Sequence, residues 1–263
     1  MLAILFISSG CSTTDLVTGK QVNNMYSIDD DIKLGAGVMS DVRKQMAKQR
    51  VPVNADAARV NQLKEMVDRI AAVSHMPTLP YEVVLFQTNI VNAAAAPGGK
   101  IIVFSGLYDE KKGLVKNENE LAAVIAHEIA HVTCRHTTES LTRRAPVNMA
   151  LLLGTIYAEA KGNDDIALAM GVAFVAYEGF YLPQYSRLDE TEADAVGLMY
   201  MAKAGYDPRA APELWKRVNE KEGRAPALMR WMSSHPSHRD RYKALDKLMP
   251  AALAEYNKTN PPP

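Results

Sequence analysis

Along most of this chain apolar residues recur three and four positions apart, the period of an α-helix with one buried face. Ile28, Ile32, Gly35, Met39, Val42 and Met46 follow it, and Ser27 with Asp30 forms a cap-like pair that predicts the helix start. A second helix follows Asn54, with Val60, Leu63, Val67 and Ile70 on one side, and Pro77 and Pro80 end it. The period then changes. Residues 81–87 read as a short strand, and 89–95 and 100–104 as two strands around the turn Pro97-Gly98-Gly99. Helical spacing returns with Leu121, Val124, Ile125, Ile129 and Val132, and Asn117 followed by Glu120 resembles a capping box. Cys134, Arg135 and His136 are read as continuing that helix. Residues 146–182 are apolar in two blocks, split at 161–165, and neither reaches the ~20 residues that span a bilayer. They predict a buried helical hairpin or a lid, with a membrane-inserting hairpin as the alternative. Asp207-Pro208 caps and opens another helix. Tyr242, Leu245, Leu248 and Met249 predict a last amphipathic one. The fold class expected is α+β, mainly helical, with a small β-sheet just ahead of the helix at 117–136.

Composition adds boundaries. At 263 residues, 48% hydrophobic and 23% charged, the chain has the profile of one globular domain. Thirty basic side chains balance thirty acidic ones, which gives no nucleic-acid footprint. Two cysteines, Cys11 and Cys134, are too few for a disulfide scaffold or a Cys-rich zinc site, and Cys134 reads as a free thiol without a catalytic role. Residues 1–7 are apolar, and Ser8-Ser9-Gly10-Cys11-Ser12 looks like a bacterial lipobox with Cys11 as the lipidated residue. Ser8 stands where an aliphatic residue is usual, and the basic start of a signal peptide is missing. Ser12 after the cysteine, by analogy, directs such a lipoprotein to the outer membrane. The expected organisation is a signal segment and polar tether over 1–26, a domain over 27–250 and a flexible tail over 251–263.

The chemistry concentrates in His127-Glu128-Ile129-Ala130-His131, an HExxH string. Residues four apart share a helical face, so His127 and His131 can offer imidazoles to one metal ion, with Glu128 in reach of a water on it. The bland reading is a surface helix with two solvated histidines. The apolar neighbours weigh against it, because burying two histidines and a glutamate is costly without a partner. His136 does not complete a metzincin pattern. That pattern places a histidine ten residues after the first, where Thr137 stands, so His136 reads as a polar residue near the helix end. A third ligand is expected from Glu190, with Asp194 four residues on accepting a hydrogen bond from the far nitrogen of a ligand histidine. Glu192 lies on another face and reads as a solvated charge. Asn92, Ala93, Ala94 and Ala95 are the candidate sheet edge for an extended peptide substrate, since small side chains leave the backbone accessible. An ordinary stabilising hairpin is the alternative.

With these residues assembled, the chain resembles the HtpX, BepA and Oma-type zinc metalloendopeptidases, the gluzincins of metallopeptidase family 48. The resemblance rests on Asn92-Ala93, Pro97-Gly98-Gly99-Lys100, the HExxH string, Tyr185-Ser186-Arg187 through Ala193-Asp194-Ala195, Gly205-Tyr206-Asp207-Pro208 and Ser234-His235-Pro236. It implies a zincin-like fold and one Zn2+ per chain, held by His127, His131 and Glu190, with Glu128 as catalytic base. It also implies that His235 lies near the active site, stabilising the oxyanion or modulating the zinc. His238, by contrast, reads as surface. The expected activity is endopeptidase cleavage of unfolded or flexible protein segments in envelope quality control, in a bacterial periplasm and anchored to the membrane through Cys11. A gated protease acting as a chaperone or assembly factor is the alternative. An exopeptidase would need a motif that captures a free amino terminus, and none is evident.

Overall fold

A computed structural model describes residues 12–109, 113–163, 165–166, 168–169, 185–221, 235 and 241–260. Cys11, much of the second apolar block, His238 and the last three residues lie outside them.

The first described segment is ordered, where a tether was expected. Strands β1 (Ser12–Thr14) and β2 (Gln21–Asn23) pair antiparallel. Asp15 builds the turn between them: its Oδ1 accepts from the amides of Val17 and Thr18. Strands of three residues, polar except for Val22, carry too little alternation to read, which is why the sequence concealed them.

Helix α1 (Ile28–Lys48) starts at Ser27 with the full reciprocal box to Asp30, and α2 (Ala57–Ala72) starts at Asp56, whose side chain caps Arg59 N. Between β3 (Glu82–Phe86) and β5 (Lys100–Phe104) the chain makes β4 (Ala93–Ala96), and the sheet order is β3-β5-β4. β5 runs parallel to β3 and antiparallel to β4. The side chains alternate as a pleat demands. Val83, Leu85, Ile101 and Val103 face the main core with α2, while Val84, Phe86, Ile102 and Phe104 meet Met39 and Met46 of α1 on the other side. The outer edge of β3 is covered: Val53 bridges Phe86, and the side chain of Asn54 accepts from Leu85 N. The outer edge of β4 has no strand partner among the described residues.

Helix α3 (Glu118–Thr133) carries HExxH through the centre of the core, and every residue from Glu120 to Thr133 is buried. It stops earlier than expected. Arg135 adopts a left-handed conformation (φ 58°, ψ 28°), and a new helix, α4 (His136–Ala160), leaves from there. That conformation costs a non-glycine residue about 1–2 kcal/mol. The Arg135 guanidinium offsets it with bonds to Asp31 and to the Tyr26 carbonyl. The first apolar block lies on α4 but is not buried: Val147, Leu152, Leu153, Ile156 and Tyr157 are exposed. Among the described residues no helix is long and apolar enough to cross a membrane.

Helices α5 (Arg187–Lys203), α6 (Ala210–Lys221) and α7 (Arg241–Thr259) complete the body. The segment from 251, expected to be a tail, is helix as far as Thr259, with Ala252 fully buried. α6 begins two residues beyond Pro208, because Asp207 first makes a turn by accepting from Arg209 N. α3 and α5 cross closely at Gly197, where a Cβ would stand 3.0 Å from Ala126 C and His127 N. Gly197→Val is therefore expected to cost about 1–3 kcal/mol through overpacking, read as a lower midpoint of thermal unfolding.

Candidate metal centre

The crossing of α3 and α5 sets the site. His127 and His131 lie one turn apart on α3 and face α5, which presents Glu190 and Asp194 one turn apart on its own facing side. The Nε2 atoms of His127 and His131 are 3.0 Å apart. Glu190 lies 3.4 Å from each of them. His235 brings its Nδ1 to 3.0 Å from Glu190 Oε1 and 3.4 Å from His127 Nε2. One ligand atom from each of His127, His131, Glu190 and His235 lies within 4.8 Å of all the others, and all four residues are buried. Tetrahedral donors about 2.0–2.2 Å from one ion stand about 3.3–3.6 Å apart. The observed spacings of 3.0–3.4 Å are close to that, so this donor set fits a metal ion of the zinc class.

Glu128 lies beside this cluster and outside the four. Both of its carboxylate oxygens are buried without a hydrogen-bond partner among the described residues. His235 Nε2 is 3.4 Å from Oε1. Burial pushes the Glu128 carboxyl above its ordinary range, against the pull of His235, His127 and the Ala95 amide. That amide belongs to the open sheet edge. The Asn92 carbonyl accepts from Phe104 N, and Ala94 and Ala96 pair with Ile102 and Lys100. By the alternation of antiparallel pairs, Ala93 and Ala95 therefore turn their backbone groups outward. Of the four residues expected at the edge, these two face away from β5, and the Ala95 amide already meets Glu128. Asn92 adds a buried side-chain Oδ1 that no described residue satisfies.

Around the donors stands a layer of charge and rings. Asp194 Oδ1 is 3.1 Å from His127 Nδ1. Burial alone would lower the His127 imidazole, but Asp194 and Glu190 outweigh it and lift its pKa to about 9. Burial, reinforced by the neighbouring His127, holds His131 well below the usual range. Burial would raise Glu190, yet His235 and Arg241 hold its carboxyl well below the usual range.

Arg241, which the sequence did not single out, is fully buried at the start of α7. Its Nε and Nη2 donate to Asp194 at 2.7 and 2.6 Å, and Nη1 lies 3.0 Å from Glu190. Its guanidinium also sits 4.1 Å above the Trp215 ring. The signal for it was indirect. Glu190 and Asp194 on one helix face, if buried, demand a buried cation. Tyr185 stacks flat on His131 at 3.7 Å. His136 opens α4 and is buried against His131, and Glu192 binds His136 and Lys20 rather than solvent alone.

The model for peptidase family M48 matches residues 57–249, more than half of the chain. This chain belongs to peptidase family M48. The mitochondrial metalloendopeptidase OMA1 of Schizosaccharomyces pombe is 34% identical over 215 residues, covering 82% of this chain and 58% of that protein. The putative beta-barrel assembly-enhancing protease of Vibrio cholerae is 30% identical, covering 85% of this chain and 45% of its own. The beta-barrel assembly-enhancing protease of Yersinia pestis is 26% identical, with 88% and 48% covered. The chain thus spans less than two thirds of each of these relatives. The M48 match includes β3 to β5, the HExxH helix, α5 and the start of α7, so the whole constellation described above lies inside it.

Proposed function

We propose that this chain is a zinc-dependent endopeptidase acting on extended, unfolded segments of protein. The observation that carries the reading is the convergence of His127, His131 and Glu190 beside a buried, unsatisfied Glu128 and an open strand edge. His127, His131 and Glu190 would hold the ion. When bound, zinc supplies Lewis acidity, which polarises the peptide carbonyl and makes water easier to deprotonate. Glu128 takes the proton from the attacking water on a carboxylate oxygen and hands it to the leaving nitrogen. Burial raises its carboxyl above the ordinary range, which makes its carboxylate a stronger proton acceptor. Asp194, whose Oδ1 lies 3.1 Å from His127 Nδ1, favours the proton on that nitrogen and so leaves the Nε2 lone pair of the ring directed at the donor centre. A substrate chain pairs with the outward groups of Ala93 and Ala95, and the backbone pairing selects extended chains over folded ones.

One observation favours a second reading, a gated enzyme. Nδ1 of His235 lies among the ligand atoms rather than beyond them. As a fourth donor it would fill the position a water needs, and a movement of His235 would switch the enzyme on. Under that reading His235→Ala raises basal cleavage of casein. If His235 instead stabilises the oxyanion, the same change lowers kcat, by about 10²–10³-fold for an oxyanion donor.

The names of the bacterial relatives support action in the cell envelope, and the lipobox-like residues up to Cys11 support a lipid anchor facing the periplasm, at the outer membrane. The experiment for the activity uses an extended peptide acetylated at its amino end and amidated at its carboxyl end. An endopeptidase cuts it internally. Failure to cut it, with cleavage of the unblocked peptide, would move the assignment to an exopeptidase.

A further inference from the structure

His127 has a carboxylate of its own on its far nitrogen, and His131 does not. Its Nδ1 meets His136 Nδ1 at 2.8 Å, His136 Nε2 meets Glu192 Oε2 at 3.1 Å, and Glu192 Oε1 meets Lys20 Nζ at 2.8 Å. We propose that His136 is the positioning residue of His131, and that Glu192 and Lys20 hold it in that role across the seam between α4, α5 and the N-terminal hairpin.

The direction of this chain of bonds follows from its far end. A carboxylate only accepts, so neutral His136 must carry its proton on Nε2 and give it to Glu192. Its Nδ1 is then an acceptor, and His131 must hold its own proton on Nδ1 to satisfy it. The lone pair of His131 is thereby fixed on Nε2, the atom that faces His127 and Glu190. The reverse polarity would place a proton on that nitrogen and block it as a ligand.

The break at Arg135 makes the arrangement possible. In one continuous helix, residues five apart point about 140° away from each other, and His136 would miss His131. Starting a new helix at His136 returns its ring to the site, where it is fully buried. Glu192, about 200° round α5 from Glu190, cannot reach the donor centre itself and acts through His136. Lys20 comes from the turn between β1 and β2, and the segment after β2 is fastened to α4 by Asn24 on Thr138 and by Met25 N on Thr142. The N-terminal hairpin is thus part of the machinery that orients one histidine of the site.

The inference rests on His131 being a metal ligand, and the test separates the two. Zinc affinity is measured by competition with a chromophoric chelator, and the visible spectrum of the cobalt-substituted protein reports the ligand geometry. His136→Leu is expected to weaken zinc binding about 10–100-fold and to change the cobalt spectrum. His136→Asn, whose Oδ1 can take the place of Nδ1 as acceptor, is expected to recover most of both. Glu192→Ala shows a smaller loss in the same direction. A folded His136→Leu protein with zinc affinity within about twofold of wild type would overturn the proposal. So would an Asn variant no better than the Leu variant, since a role confined to packing gives no such rescue. If His136→Leu does not fold, Glu192→Ala at its partly exposed position decides, and unchanged affinity and spectrum would overturn the proposal. His131→Ala is the control: if it keeps wild-type affinity, the ligand assignment itself fails. If it loses zinc while His136→Leu keeps it, only the positioning role fails.

Discussion

Replacing Arg241 with methionine lowers the stability of the metal-free protein by about 3–5 kcal/mol, the cost of leaving a buried charge without its partner. For a chain of this size that is a fall of roughly 6–20 °C in Tm. The reason is that two carboxylates, Glu190 and Asp194, are buried on α5 and share this one guanidinium through three contacts of 2.6 to 3.0 Å. Removing it leaves Asp194 with His127 and Glu190 with the site histidines. Zinc takes over part of the charge on Glu190, so the variant gains more from zinc than the wild type does. Thermal unfolding of both proteins with and without zinc reads all four values. An Arg241→Met protein within about 0.5 kcal/mol of wild type, the range of an ordinary surface change, would show that the guanidinium does not hold the site together.

Glu128→Gln lowers kcat by about 10²–10⁴-fold, the usual worth of a positioned proton acceptor, and leaves the bound metal in place. Both halves follow from geometry, because Glu128 stands beside the four converging donors without being one of them. The same change raises stability in the metal-free state. A buried carboxylate without hydrogen bonds costs folding energy, and a neutral amide of the same shape removes that cost. The sign with pH is set by the raised pKa. The folded state favours the protonated carboxyl, so wild type loses stability relative to Glu128→Gln as pH rises above the ordinary glutamate value of 4.5. Chemical denaturation at several pH values checks it. A stability gap that shrinks as pH rises would contradict the burial argument.

What the sequence disclosed of this site was whatever could be written as spacing on one helix. His127 with His131, and Glu190 with Asp194, are pairs four apart, and the crossing of α3 and α5 brings the two pairs face to face. Helix α1 was legible because its capping pair and its apolar periodicity agreed, and α2 from its periodicity alone, its cap Asp56 passing unnoticed. Three features were hidden for physical reasons. Arg241 reads as an ordinary helical cation until its buried acidic partners, 47 and 51 positions earlier in the chain, are in view. The break before His136 is hidden because nothing in Cys134-Arg135-His136 announces a left-handed arginine. Its support comes from Asp31, 104 residues away. Glu192 reads as solvated from sequence because its partners, His136 and Lys20, lie on other elements. A flexible tail is expected from 251, yet α7 continues through Pro250 to Thr259, with Ala252 buried two residues beyond the proline.

Under the proposed function His127, His131 and Glu190 form a metal-dependent hydrolytic centre. The most direct measurement takes one preparation of the purified chain and determines its zinc content together with its cleavage of casein, before chelation, after chelation and after zinc is restored. One zinc per chain, cleavage lost with the metal and cleavage regained on reloading is the predicted result. A folded protein that binds no zinc, or that cleaves casein equally well after the metal has been stripped, would contradict it.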